Sequence, residues 1–290
     1  MFRQIAILGP GLLGASIMQA ARQRGLAQRL TTWSRRAETR LRCEGKPWCD
    51  AVFADASDCV RGADLVVTCV PVDRIAEVLA AVAPALEPGT LVTDVGSTKG
   101  EICRHAQTAA GSKVNFIGAH PMAGSEKSGL EHASPSLFEN RICFLTPMPA
   151  TPAAAVDAVA RFWNALGMQI VTTTPDMHDE IVAHISHLPH LLAATLSATL
   201  QRKPEDWRNY AGPGLRDTTR VSGGDPALWC SIVKDNREEI LRALDSFQEE
   251  LDLMRSALRN KNFVALQNQL TRGKGWRDLL VTRETEKNQP

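Results

Sequence analysis

The segment "QIAILGPGLLGASIMQAARQRG", residues 4–25, leaves few options for the fold of the chain that follows it. Ile5 to Leu8 read as an apolar strand and glycines stand at 9, 11 and 14; apolar and small residues then recur at helical spacing until Gly25. A second strand follows in "RLTTWS". Strand, tight turn, helix and strand within about thirty residues is the setting in which GxGxxG binds a dinucleotide. Gly9 permits the turn, Gly11 lets the backbone approach a pyrophosphate, and Gly14 lets the helix pack on its strand. With Leu12 and Leu13 they form the expected cofactor-binding loop.

The end of the second strand bears on which dinucleotide binds. An Asp or Glu about 20 residues beyond the glycines would bond the ribose 2′-hydroxyl. Here the strand ends "TWSRRAE": Ser34 stands at or near the acidic position, with Arg35 and Arg36 beside it. No carboxylate would repel a 2′-phosphate, and two guanidiniums would grip one. NADP is the expected cofactor, with NAD the alternative. Two arginines opening a solvated helix would look the same.

The β/α alternation continues through "ADLVVTCVPV", "GTLVTDVGS", "VNFIGAHPM", "RICFLTP" and "QIVTTT", with helices over 74–86 and 152–166. This predicts a Rossmann-type, doubly wound, mainly parallel sheet over residues 1–173, with ligands at the carboxyl ends of its strands. Val70 and Pro71, Ser97 and His120 fall just past strand ends, so one cleft is expected to collect them. From residue 174 to 290 no convincing strand appears, and this second domain is expected to be all-helical. Ile240, Leu244, Phe247, Leu251, Met254 and Leu258, alternating four and three apart, mark a helix face suited to a homodimer.

Composition restricts the partners. A net charge of +1 offers no field for nucleic acid or an anionic membrane, which leaves a small molecule. Seven cysteines form no CxxC pair, and their odd number leaves any disulfide scheme incomplete, so they read as reduced. "MFRQIAILGPG" lacks a signal-peptide h-region and no 18-residue apolar stretch is read elsewhere; a cytoplasmic protein is expected.

Three further stretches carry chemistry. "GAHPMAGSEKSG" places His120, Glu126 and Lys127 on a glycine-rich segment of the kind that faces ligands. In "IVAHISHLPHLLAA", His187 and His190 share a helix face, with Ser186 four before His190, and Pro189 is expected to kink the helix at the Ile185 carbonyl. His184, His187 and His190 also repeat at HxxH spacing, but no recognisable zinc ligand set accompanies them. "AGPGLRDTTRVSGGDPALW" sets Arg216, Asp217 and Arg220 on a turn-rich stretch, where arginine suits bidentate carboxylate recognition.

Taken in order, "GPGLLG", "DVGSTKG", "GAHPMAGSEKSG", "SHLPH" and "GLRDTTRVSGGDPALW" closely resemble the prephenate/arogenate dehydrogenases of tyrosine biosynthesis, over roughly residues 3–285. The resemblance implies an NAD(P)-binding domain, a helical dimerisation domain and active sites between them. It implies that His120 is the catalytic histidine and that Ser97 orients it near nicotinamide and substrate. It further implies that Arg220 holds a substrate carboxylate, that Ser186, His187 and His190 line the pocket, and that Trp229 falls where the partner subunit contributes. Pro213 stands where some relatives have glycine. Glu126 and Lys127 are expected to gate the pocket, and Asp217, three residues before Arg220, to favour an ammonium-bearing side chain, as in arogenate. Two other readings are a β-hydroxyacid dehydrogenase using Lys234 near Asn236, and a nucleotide-sensing regulatory dimer.

Overall fold

The computed structural model describes residues 1–111, 113–124 and 129–287, with side chains to Leu280. Glu126 and Lys127 lie outside the described residues. The chain divides into two compact units, Met1–Ile240 and Leu241–Pro290.

The first unit is built on eight strands: β1 (Phe2–Leu8), β2 (Ala27–Trp33), β3 (Ala51–Phe53), β4 (Leu65–Thr68), β5 (Leu91–Asp94), β6 (Asn115–Pro121), β7 (Ile142–Thr146) and β8 (Gln169–Thr172). They form one sheet in the order β3-β2-β1-β4-β5-β6-β7-β8. Neighbours are parallel except β6 and β7, an antiparallel pair. The order reverses between β1 and β4, and such a switch point opens a ligand crevice at the carboxyl ends of the strands. The short edge strand β3 is absent from the sequence reading: three residues are too few to show alternation.

Helices α1 (Leu12–Gln23), α2 (Ala37–Cys43), α3 (Ala56–Val60), α4 (Ile75–Val82), α5 (Gly100–Ala110) and α6 (Ala153–Ala165) connect the strands. Two apolar clusters result, one including Ile5, Ile7, Ile17, Leu30 and Trp163, the other Leu8, Val66, Ile75, Leu79 and Phe116. Alternate residues of β1 supply both, as expected for a strand covered on its two faces. The cysteines are unpaired, four of them buried.

After β8 the first unit continues only in helices. α7 (Pro175–Val182) passes through a π-helical turn at Ala183–His187 into α8 (Leu188–Leu200), and α9 (Pro213–Thr219) and α10 (Pro226–Asp235) follow. Pro189 has no N–H for the Ile185 carbonyl, and the chain widens into a π turn ahead of it, at the place where a kink is expected. The continuous helix Pro175–Leu200 is long and apolar enough to cross a membrane, which a search for unbroken apolar runs overlooks. In its first turns His178 and Asp179 are buried in contacts with β6 and the start of α5.

The second unit is a helical hairpin made by most of α11 (Arg237–Arg259) and by α12 (Phe263–Lys287). Lys261 turns the chain with φ 53°, and Glu250 on α11 accepts from Gln269 and Arg272 on α12.

Candidate active site

The glycine loop has the geometry a dinucleotide needs. Gly9 sits at φ +106°, where a Cβ would come within 2.8 Å of the Cys69 carbonyl oxygen, and a Cβ on Gly14 would strike the Gly9 carbonyl oxygen. Gly11 faces open space and is the N-cap of α1 with no side-chain hydrogen bond on the helix N-terminus. Free N–H groups at a helix start, with room for the backbone to be approached, fit a pyrophosphate. Val70 and Pro71 follow β4 after Cys69. Beyond β2, Ser34 is buried and accepts the Arg36 N–H at 3.3 Å, while Arg35 and Arg36 are exposed. Arg36 caps α2, and Arg40, which the sequence reading omits, donates to the Ser34 and Arg35 carbonyls.

His120 is placed by an exchange of strand partners. The first half of β6 pairs with β5 through Ile117, and the second half, from Gly118, pairs with β7. His120 therefore lies within β6, opposite Phe144, rather than past the strand's end; the antiparallel partner prolongs β6 where β5 has stopped. On the side that β5 has left, side chains complete the ladder. Asp94 Oδ1 accepts the Ala119 N–H at 2.9 Å, and Lys99 Nζ donates to the Ala119 carbonyl at 2.9 Å. Lys99 and Asp94 are also ion-paired to each other, both fully buried. Both backbone polar groups of Ala119, the residue before His120, are thereby held.

The ring of His120 is 7 % exposed, and its Nδ1 is hydrogen-bonded to His178 Nε2 at 2.9 Å. Among the described residues its side-chain bond is to His178 and not to Ser97, the residue expected to orient it. Ser97 lies half-buried in the β5–α5 loop, whereas the first turn of α7 lays His178 beside His120 with ring centroids 5.1 Å apart. His178 Nδ1 contacts Asp179 Oδ1 at 2.8 Å. Asp179 also accepts the N–H groups of Lys99 and Gly100, each at 2.7 Å, and so caps α5. A Cβ on Gly100 would come within 2.9 Å of that carboxylate, which explains the glycine in "STKG". Burial, with the nearby His178 and Lys99, holds the His120 pKa well below the ordinary imidazole value. Burial lowers that of His178 as well, against the opposing pull of Asp179.

The helix histidines divide by face. His184 is exposed and bonds the Glu180 carbonyl, turned away from the buried His187 and His190. Asn236 Nδ2 donates to the Asp179 carbonyl at 2.8 Å and to His187 Nδ1 at 3.1 Å, and burial brings the His187 pKa down to about 4. His187 Nε2 and His190 Nδ1 are buried without a partner among the described residues. Buried polar atoms left open in this way, beside a histidine of lowered pKa, are suited to a polar ligand. Trp229 stacks on His190 at 3.5 Å and 11°. Gly224 lets the loop pass against its indole; a Cβ there would lie 2.5 Å from Trp229 Nε1.

Ser186 is half-buried in the π turn. Asp217 is the fifth residue of α9 and so no N-cap, which is Gly212; helical dihedrals continue into Arg220, so both side chains share one exposed face. Lys234 is exposed in the last turn of α10, and the nearby Asn236 is bound to His187 rather than to that lysine. Sequence reading missed His178, Asp179, Lys99 and Asp94. The adjacent "HD" just inside a predicted helix was the available signal.

Residues 17–172 match the family model for the prephenate dehydrogenase nucleotide-binding domain, and residues 174–272 that for its dimerization domain. The chain is 32 % identical to the cyclohexadienyl dehydrogenase of Zymomonas mobilis, over 90 % of each chain. It is 31 % identical to the prephenate dehydrogenase of Bacillus subtilis, over 97 % of this chain and 76 % of that one. Among solved structures, prephenate dehydrogenase from A. aeolicus in complex with hydroxyphenyl propionate and NAD+ superposes with a TM-score of 0.91, at 28 % identity over 97 % of this chain and 99 % of that one. Synechocystis arogenate dehydrogenase gives 0.82, at 32 % identity over 96 % and 99 %. With both halves of its fold matched and its histidine cluster assembled around β6, the chain belongs to the prephenate dehydrogenase family.

Proposed function

We propose that this chain is an NAD(P)-dependent dehydrogenase that oxidatively decarboxylates prephenate, arogenate or both in tyrosine biosynthesis, as its relatives' names describe for them. The observation that carries this reading is the buried, neutral His120 at the end of the glycine-loop sheet, beside two histidine nitrogens left open for a polar ligand. Gly9, Gly11, Leu12, Leu13, Gly14, Val70 and Pro71 would hold the dinucleotide, whose nicotinamide supplies the hydride acceptor when bound. His120 takes the proton of the ring hydroxyl as the neighbouring C–H bond gives up its hydride. Loss of carbon dioxide then aromatises the ring. His187 and His190 bind the substrate's polar groups, Ser186 and Trp229 border them, and Arg220 fixes a carboxylate through its planar fork.

We further assign NADP as the preferred cofactor, on Ser34 in place of a carboxylate and on Arg35 and Arg36 free of burial at the strand end. Arogenate is expected to be used at least as well as prephenate. Asp217, in the last turn of α9, opposes the helix dipole and caps nothing, which leaves its charge for the substrate's ammonium. The exposed Phe247, Leu251 and Leu258 of α11 support a homodimer through the helical hairpin.

Steady-state kinetics with both substrates and both cofactors test these assignments together. Turnover with NADP above NAD is expected, inverted by Ser34→Asp with Arg35→Ala, and Asp217→Asn should move the ratio of specificity constants toward prephenate. His120→Asn should bind cofactor normally and lose on the order of 10²- to 10⁴-fold in turnover. No turnover of either substrate by the wild type would overturn the reading.

A further inference from the structure

We infer that His178 and Asp179 fix the tautomer of His120, placing the proton on Nδ1 and the lone pair on Nε2, where it serves as the base. This rests on the dehydrogenase reading for the base's purpose, but the tautomer itself follows from the hydrogen bonds. Asp179 accepts a backbone N–H on each oxygen, from Lys99 and from Gly100, so both oxygens act as acceptors. Its Oδ1 lies 2.8 Å from His178 Nδ1, so that nitrogen carries the proton. A neutral His178 then has only a lone pair on Nε2. The atom facing it at 2.9 Å is His120 Nδ1, which must donate.

The alternative chain begins with a protonated His178, which would donate from both nitrogens and turn His120 over to the opposite tautomer. The surroundings oppose it. His178 is 0 % exposed, Phe144 packs its ring edge at 5.2 Å, and the charged Lys99 stands close by, with His120 and His187 the other imidazoles in range. Of the acids near it, Asp94 is already paired with Lys99, and Asp179 is shared with the α5 backbone. Desolvation outweighs the attraction of Asp179, and the His178 pKa falls rather than rises.

The reaction balances with this arrangement. The substrate O–H bond breaks and an Nε2–H bond forms on His120, while the electron pair of the adjacent C–H bond departs with the hydride. The C–C bond to the ring carboxylate then breaks, its electron pair aromatises the ring, and the proton on Nε2 returns to the ring oxygen. No proton needs to leave the site, so the relay is not a wire. It orients the ring of His120 and, through Nδ1–H, stabilises the imidazolium that forms between the two transfers. His178 and Asp179 are positioning residues.

The nitrogen-15 spectrum of the histidine-labelled full chain reads the tautomer without reference to activity, with the His120 signal identified by its loss in His120→Asn. A pyrrole-like Nδ1 and a pyridine-like Nε2 are expected. Asp179→Asn offers His178 an amide N–H in place of an acceptor, which reverses the chain and should cost at least about 10²-fold in kcat with cofactor affinity kept. His178→Gln, which can still accept at the place of Nε2, should retain clearly more activity than His178→Leu. A pyridine-like Nδ1 on His120 in the wild type overturns the inference even if Asp179→Asn fails to fold. Equal losses in His178→Gln and His178→Leu overturn it too, since packing alone would then explain them. An inactive wild type with the expected tautomer would instead strike at the dehydrogenase reading.

Discussion

Lys99 and Asp94 illustrate how one buried ion pair can serve backbone geometry. Each is desolvated, and the pair is tolerated because both also satisfy the Ala119 peptide. Lys99→Met is expected to lose about 3–5 kcal/mol of stability in urea unfolding, because it strands the Asp94 carboxylate. The double change Asp94→Asn, Lys99→Met should recover part of that stability and none of the turnover, since Ala119 then lacks its support. A second expectation concerns pH. His120 must be neutral to accept a proton, and its pKa in the folded chain is pushed downward, so activity is retained below the ordinary imidazole value and lost only as pH falls through the lowered one. The acidic limb of kcat/KM should therefore lie below 6.5; a limb at or above that value would place a different base in the reaction.

At the scale of elements, the π turn before Pro189 decides where the helix histidines point. A regular α-helix would carry His178 and His187 around the axis in fixed steps, whereas the π turn at Ala183–His187 puts a wider step between them. His178 can then reach β6 while His187 reaches Asn236 on the next helix but one. Pro189→Ala restores an N–H that the Ile185 carbonyl can take, and it replaces a poor helix residue with the best one. Thermal stability should rise and the KM for substrate should rise with it, as the two histidine sets lose their alignment. Scanning calorimetry and kinetics on one preparation decide the matter: unchanged values in both would mean that the turn is not set by Pro189.

For the whole molecule, the helical hairpin leaves Phe247, Leu251, Leu253, Leu258, Phe263 and Trp276 exposed in the single chain, more apolar surface than two helices leave in water without a partner. The family model matched across residues 174–272 is described as a dimerization domain. Phe247→Glu with Leu251→Glu should shift sedimentation from dimer to monomer while leaving the glycine-loop sheet folded and able to bind cofactor. A wild type that already sediments as a monomer would assign that face to another role.

The sequence by itself determined the alternating sheet, the glycine turn, the helical second half and the residues His120, His187 and His190, because each is written in local pattern: strand runs, φ-demanding glycines, and side chains three apart on one helix face. It also located the irregular turn ahead of Pro189, since a missing N–H is a local property. Only the tertiary structure decided what His120 touches. Its partner His178 is 58 residues away, and the carboxylate behind it is tied to an α5 turn about 80 residues back, so no window of sequence contains the contact. The same holds for Lys99 and Asp94, whose five-residue spacing reads as an ordinary loop until β6 exchanges β5 for β7 and leaves Ala119 to be satisfied by side chains. Periodicity reports which way a residue faces; which polar groups a strand loses when its neighbour ends is known only once the strands are paired.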